Sequence, residues 1–165
     1  MKRRILLALP AAAAVLTLAG CVTGQPPLFE RYGRFALVST SASGKREAVN
    51  GRFSLRRTSA GLRLNLMTPL NGILASIEVT PSGAVLETSQ NESPLRAATA
   101  EELMLRTTGV AVPVKTLERW LTMKGDRASE YGWSVRVLKR RDDGMPGTIR
   151  ASSTGVSLTL TMDED

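Results

Sequence analysis

From Leu62 to Val79 apolar residues recur at every second position, and one five-residue loop interrupts the repeat. Leu62, Leu64 and Leu66 share one face and Arg63 and Asn65 the other; Ile73, Ala75, Ile77 and Val79 then resume the pattern against Ser76 and Glu78. A period of two places both segments in β-strands with their aliphatic faces on the same side. The connection Thr68-Pro69-Leu70-Asn71-Gly72 specifies a reversal, because Pro69 fixes φ and Asn71-Gly72 supplies positive φ. Turn chemistry does not require Leu70, a large aliphatic where hairpins normally carry polar residues. It has two destinations, the protein's own interior or something apolar outside it.

The same pattern extends along the chain. Arg34 to Thr40, Glu47 to Arg57 and Ala84 to Thr88 read as further strands, separated by the polar turns 41–45, 58–61 and 80–83. Short polar connections favour an antiparallel meander. Thr99-Ala100-Glu101-Glu102 then reads as a capping box, opening a helix that runs to about Thr107 and stops at Gly109. Pro113 opens a second helix through Met123, with Val114, Leu117, Trp120 and Leu121 on one apolar stripe. Strands return over Gly132 to Arg140, Gly147 to Ala151 and Val156 to Met162. The predicted class is α+β, mainly antiparallel β, with the helices packed across the concave face of the sheet. Its apolar faces read either as a packed core, the ordinary meaning of apolar periodicity, or as the lining of a cavity.

The first twenty residues stand apart. Met1-Lys2-Arg3-Arg4 is basic, and Ile5 to Leu18 is apolar but too short to span a bilayer. Leu18-Ala19-Gly20-Cys21 closely resembles the bacterial lipoprotein processing box, in which the cysteine receives a diacylglyceryl group and its freed amine a further acyl chain. The alternative is an ordinary secretory signal followed by a free cysteine. Residues 1–20 are thus expected to be a lipoprotein signal peptide, 21–32 a lipidated tether broken by Pro26-Pro27, and 33–165 one domain. Three acyl chains exceed the two signals that stable anchoring needs. Val22 stands where aspartate commonly marks inner-membrane retention, so the expected location is the periplasmic face of the outer membrane. Losing Lys2, Arg3 and Arg4 leaves 19 basic against 15 acidic side chains. That excess suits anionic headgroups, and nothing in the compartment favours nucleic acid.

Catalytic chemistry is missing. The chain has no histidine, and its one cysteine is assigned to lipid. Glu101-Glu102 suits a helix N-terminus, Asp142-Asp143 a solvated cluster beside Lys139, Arg140 and Arg141, and Asp163-Glu164-Asp165 a terminal tail. No phosphate-cradling Gly-rich string occurs. No catalytic residue, metal site or cofactor is expected beyond the acyl groups on Cys21. A hydrolase acting on envelope lipid or peptidoglycan is disfavoured for want of a base.

With the processing box, the L-R-L-N-L-M-T-P-L strand and loop, the A-T-A-E-E-L-M-L-R-T-T-G-V-A-V-P helix and connector, and the following L-E-R-W-L in view, the chain resembles the LolB family of outer-membrane lipoprotein receptors. The resemblance implies an open, incomplete β-barrel with a helical lid over its concave apolar face. It implies a monomeric receptor, not an enzyme, that takes lipoproteins from a soluble LolA-like periplasmic carrier, holds their acyl chains and inserts them into outer-membrane phospholipid. It assigns Pro69 and Leu70 to the membrane-insertion loop. Leu62, Leu64, Leu66, Ile73, Ala75 and Ile77 would form the cavity wall, and Val114, Leu117, Trp120 and Leu121 the lid, with Gly109 and Gly125 as hinges. The segment from Gly125 to Trp133 is expected to lack a strand that family members carry there. The competing reading is a lipid-anchored structural or interaction module with a packed core and no acyl ligand.

Overall fold

A computed structural model describes residues 26–69 and 72–164. Cys21, Leu70 and Asn71 lie outside the described residues. The strands form one antiparallel sheet: β1 (Phe29–Thr40), β2 (Arg46–Arg57), β3 (Leu62–Met67), β4 (Ile73–Thr80), β5 (Gly83–Thr88), β6 (Leu95–Ala97), β7 (Arg127–Glu130), β8 (Trp133–Arg140), β9 (Pro146–Ser153) and β10 (Val156–Met162). Their order across the sheet is β6-β5-β4-β3-β2-β1-β10-β9-β8-β7, so β1 joins two meanders and the edges β6 and β7 do not pair. The sheet is an open barrel. Two helices, α1 (Ala100–Thr108) and α2 (Leu117–Thr122), the latter preceded by a 3-10 turn at Val114–Thr116, cover its concave face.

The two longest strands set the curvature. In register, Gly33 faces Phe53 and Phe35 faces Gly51, so each ring lies across the glycine of the other strand. A Cβ on Gly51 would press into the Met67 carbonyl oxygen and sit 3.0 Å from the Phe35 ring. Missing side chains at these two points let the backbone bend sharply under bulky aromatics.

Three departures from the sequence expectation exceed a shift of a few residues within a 3-10 turn or at a strand end. β1 begins at Phe29 rather than Arg34, because residues 29–32 pair in register with Arg57 to Ser54 and the Leu28 N–H donates to the Arg57 carbonyl at 2.8 Å. The segment from Gly125 to Trp133 does hold a strand, β7, contrary to expectation. Four residues suffice, because Tyr131 (φ 52°) and Gly132 (φ 75°) turn directly into β8. β6 was not foreseen; three residues are too few to show a period.

The helix signals are realised locally. Thr99 caps α1, its hydroxyl accepting the Glu102 N–H at 3.2 Å, and Gly109 closes it in the left-handed region at φ 72°. The Glu102 carboxylate lies 3.6 Å from Arg106 on the next turn.

Because the strands alternate in direction, the turns at 41–45, 68–72, 131–132 and 154–155 gather at one end of the sheet, hereafter the rim.

Candidate functional site

Beneath the helices lies a cavity of about 50 Å³ with no polar side chain in its wall. Phe35 and Leu37 of β1, Phe53 and Leu55 of β2, Leu64 and Leu66 of β3, and Leu158 and Leu160 of β10 form its floor. Met104 of α1, Val112 of the connector, and Leu117 and Leu121 of α2 form its roof. The four central strands contribute because their alternate residues all point inward. The wall is closed at the far end, where Leu55 is fully buried, and loosens toward the rim, where Leu37 and Leu66 are half-buried and Val49 is 54% exposed. An apolar track therefore runs from the cavity to the rim.

Of the wall residues expected from sequence, Leu64 and Leu66 line the cavity. Leu62 and Ile77 are buried in the core, and Ala75 packs against it, without reaching the cavity. Ile73 does not belong to the wall. The register slips between Leu66 and Met67, so that Leu66 pairs with Ala75 but Met67 pairs with Ile73. Leu74 is the extra residue of a β-bulge, and the slip puts Ile73 on the outer face, 58% exposed. Of the expected lid residues, Leu117 and Leu121 line the cavity. Val114 and Trp120 are buried but lie away from it.

Trp120 serves the packing instead. Its ring centroid lies 6.0 Å from that of Trp133, tilted by 48°, and its indole N–H donates to Glu130 of β7 at 2.7 Å. Glu130 also accepts from Arg119 at 2.5 Å, and Glu118 pairs with Arg57 of β2 at 2.7 Å. Trp133 donates to the Ala111 carbonyl at 3.3 Å, seating the connector between the helices. Beyond α2 the Arg140 guanidinium donates to the carbonyls of Lys124, Gly125 and Gly144 and to the Asp126 carboxylate, at 2.7 to 3.1 Å. Gly125 is thus fastened, not free to act as a hinge. No comparable tie reaches α1. Among the described residues its hydroxyls bond only within the helix and to Val110, and it meets the sheet through apolar contacts with Leu103 and Met104 at its buried face. Gly109 stands in the left-handed region, and a Cβ there would meet nothing within 4 Å.

At the rim, the base of the β3–β4 loop is closed twice. The Thr68 N–H donates to the Gly72 carbonyl at 2.8 Å, and the Gly72 N–H to the Thr68 hydroxyl at 3.1 Å. Pro69 is exposed. Ile73 and Leu74, both exposed, continue from the loop along β4. Sequence reasoning did not foresee this apolar outer strip, since the bulge that turns it outward has no compositional signature.

A family model described as "Outer membrane lipoprotein LolB" matches residues 28–164. An outer-membrane lipoprotein LolB of Bordetella petrii is 32% identical over 163 residues, covering 84% of this chain and 81% of the relative. One from Cupriavidus metallidurans is 30% identical, covering 81% and 73%. One from Cupriavidus taiwanensis is 29% identical, covering 96% and 84%. An open barrel with a roofed apolar cavity, matched by the family model over nearly all the described residues, makes this chain a member of the LolB family of outer-membrane lipoproteins, which are receptors in lipoprotein localisation and not enzymes.

Proposed function

We propose that this outer-membrane receptor accepts lipoproteins from a soluble, LolA-like periplasmic carrier, holds their acyl chains in the apolar cavity and places them in outer-membrane phospholipid. The observation that carries the reading is the cavity wall, built only of Leu, Phe, Val and Met side chains. Each methylene moved from water into such a site gains about 0.8 kcal/mol, which lets a protein cavity compete with a carrier for an acyl chain. With no nucleotide motif in the sequence, transfer runs downhill from carrier to receptor to bilayer.

At about 50 Å³ the cavity is far smaller than the roughly 300–1,000 Å³ of ligand pockets, so the roof must move before an acyl chain fits. The moving part is α1, pivoting at Gly109, because α2 is fastened through Glu118, Arg119 and Trp120 while α1 is held by apolar contacts alone. Apolar contacts to α1 are replaced by contacts to the incoming chain, whereas breaking the ion pairs of α2 has no such compensation. Cys21 carries the anchor, and the Pro69-Leu70 tip contacts the bilayer during delivery.

The small cavity favours, as the competing reading, an anchored module with a packed core and no ligand. One experiment separates the two. The purified protein is mixed with carrier loaded with a labelled lipoprotein, and a lipopeptide is titrated in parallel. Cargo should change hands and the lipopeptide should bind saturably. Cargo that stays on the carrier, together with no saturable lipopeptide binding, refutes the proposal and leaves the packed module.

A further inference from the structure

The outer face of the sheet carries its charges in two different ways. On β1 to β4 arginines also face one another, Arg34 opposite Arg52 and Arg56 opposite Arg63, but three of these four reach a carboxylate: Arg63 pairs with Glu78 at 2.7 Å, Arg56 with Glu30 at 3.8 Å, and Arg52 with Asp163. On β7 to β9 they do not. Arg127 faces Arg136, and Arg136 faces Arg150, so three arginines stand in one row across three strands, all exposed. Among the described residues no carboxylate pairs with any of them; the nearby Asp126 and Glu130 are engaged by Arg140 and by Arg119 and Trp120. Like charges set directly opposite on a sheet destabilise it. Between this row and the rim runs a second row, Ser129, Ser134 and Ser152, each facing the next. Together the two rows line a shallow depression of about 530 Å³.

We infer that this face of β7, β8 and β9 is a docking surface for the anionic phosphate headgroups of the membrane. Guanidinium forks and adjacent hydroxyls are the donors that phosphate oxygens accept. A row of positive charge left without a partner in the protein is complemented by a negatively charged surface outside it.

Two features favour a membrane over an acidic protein surface as the occupant. First, Tyr131 sits at the rim end of the same face, 75% exposed. It occupies a left-handed position (φ 52°) of a two-residue hairpin turn, where asparagine or glycine is the unstrained choice. An exposed tyrosine kept there at a conformational cost matches the aromatic anchors that collect at bilayer interfaces. Second, the face is continuous with the rim that bears the loop at 68–72. From Gly132 to Arg136 is four residues, or about 13 Å of strand, so with the rim at the bilayer the arginine side chains reach toward the headgroup layer. The exposed Leu138 completes a stripe that is aromatic, polar, cationic and apolar in turn. The inference uses the chain's outer-membrane address and is independent of what the cavity binds.

The test uses the full lipid-anchored chain in vesicles of phosphatidylcholine, with or without phosphatidylglycerol. Because Cys21 is the one natural cysteine, Ser129→Cys accepts a single fluorophore, read by quenching from headgroup-spin-labelled lipid. Quenching should rise several-fold on the anionic vesicles and be reversed by salt, since the screening length at 0.1 M is only about 10 Å. Each of Arg127→Gln, Arg136→Gln and Arg150→Gln should lower the membrane-facing population about five-fold, the equivalent of about 1 kcal/mol per basic residue at an anionic surface. Arg136→Gln alone, which also relieves the like-charge row, should melt no lower than the wild type and so guards against misreading a folding defect. A fluorophore at Ser82→Cys, at the opposite end of the sheet, should stay unquenched. Equal quenching on neutral vesicles, or quenching indifferent to the arginines, overturns the inference. Shielding of position 129 that requires added carrier reassigns the surface to an acidic protein and overturns it as well.

Discussion

Replacing Trp120 distinguishes a side chain that lines a cavity from one that holds the molecule together. The indole is 1% exposed, packs against Trp133 and donates to Glu130, and no part of the cavity wall is formed by it. Trp120→Ala should therefore cost what a core tryptophan costs, about 3–5 kcal/mol. At roughly 3 °C per kcal/mol for a chain of this size, the melting temperature should fall by about 10–15 °C. Trp120→Phe keeps a ring against Trp133 but loses the N–H donor and part of the buried ring volume. Glu130 retains Arg119 and is a quarter exposed, so no uncompensated charge is buried and the cost should be about 1–3 kcal/mol, below that of the alanine variant. Denaturant unfolding followed by far-ultraviolet circular dichroism measures both without relying on the fluorophore that is removed. In neither variant should the intrinsic affinity of the folded protein for a lipopeptide change. A loss below about 1 kcal/mol for Trp120→Ala, accompanied by collapse of lipopeptide binding, would refute this reasoning and return the tryptophan to the cavity wall.

Four further outcomes follow from the same geometry. Leu70→Glu should alter stability by no more than about 0.5 kcal/mol and leave carrier-to-receptor transfer intact, yet abolish delivery to liposomes, because a carboxylate resists entering the acyl region; a collapsed melting temperature would instead place Leu70 in the interior. Gly51→Ala should destabilise by about 1–3 kcal/mol, since the new methyl meets the Phe35 ring and the Met67 carbonyl; an unchanged melting curve would show that the close approach does not shape the sheet. Tyr131→Asn should raise stability by up to about 1 kcal/mol by relieving the left-handed turn, and a loss would mean that the ring makes a stabilising contact. Hydrogen exchange should be faster in α1 than in α2, and a lipopeptide should change protection mainly in α1; equal protection of the two helices would remove α1 as the moving element.

Most of the sheet was legible because eight of its ten strands either alternate clearly or are bounded by turn residues. Val156 to Met162 was located to the residue, and Thr99 and Gly109 marked both ends of α1. What escaped had weak local signals. β6 and β7 are three and four residues long, and a segment that short is specified by the neighbour it pairs with rather than by its own period. β1 gained its first five residues in the same way, from the complementary length of β2.

The candidate site divides along the same line. Leu64, Leu66, Leu117 and Leu121 were found because inward-facing alternation and a helical stripe suffice to aim them at the cavity. Ile73 and Trp120 were misassigned because each belongs to a correct pattern but responds to a distant event. For Ile73 the event is one extra residue at Leu74, which reverses every side chain on its far side. For Trp120 it is Glu130, ten residues on in a strand that sequence had not located, whose carboxylate draws the indole N–H toward the sheet edge and away from the cavity. The consequence for the roof is direct. A stripe that appeared to be one lid divides into Leu117 and Leu121, which face the cavity, and Trp120, which bolts α2 to β7, while Glu118 beside the stripe ties α2 to β2. Among the described residues α1 meets the sheet through hydrocarbon alone, which is why the proposed transfer assigns the opening movement to α1.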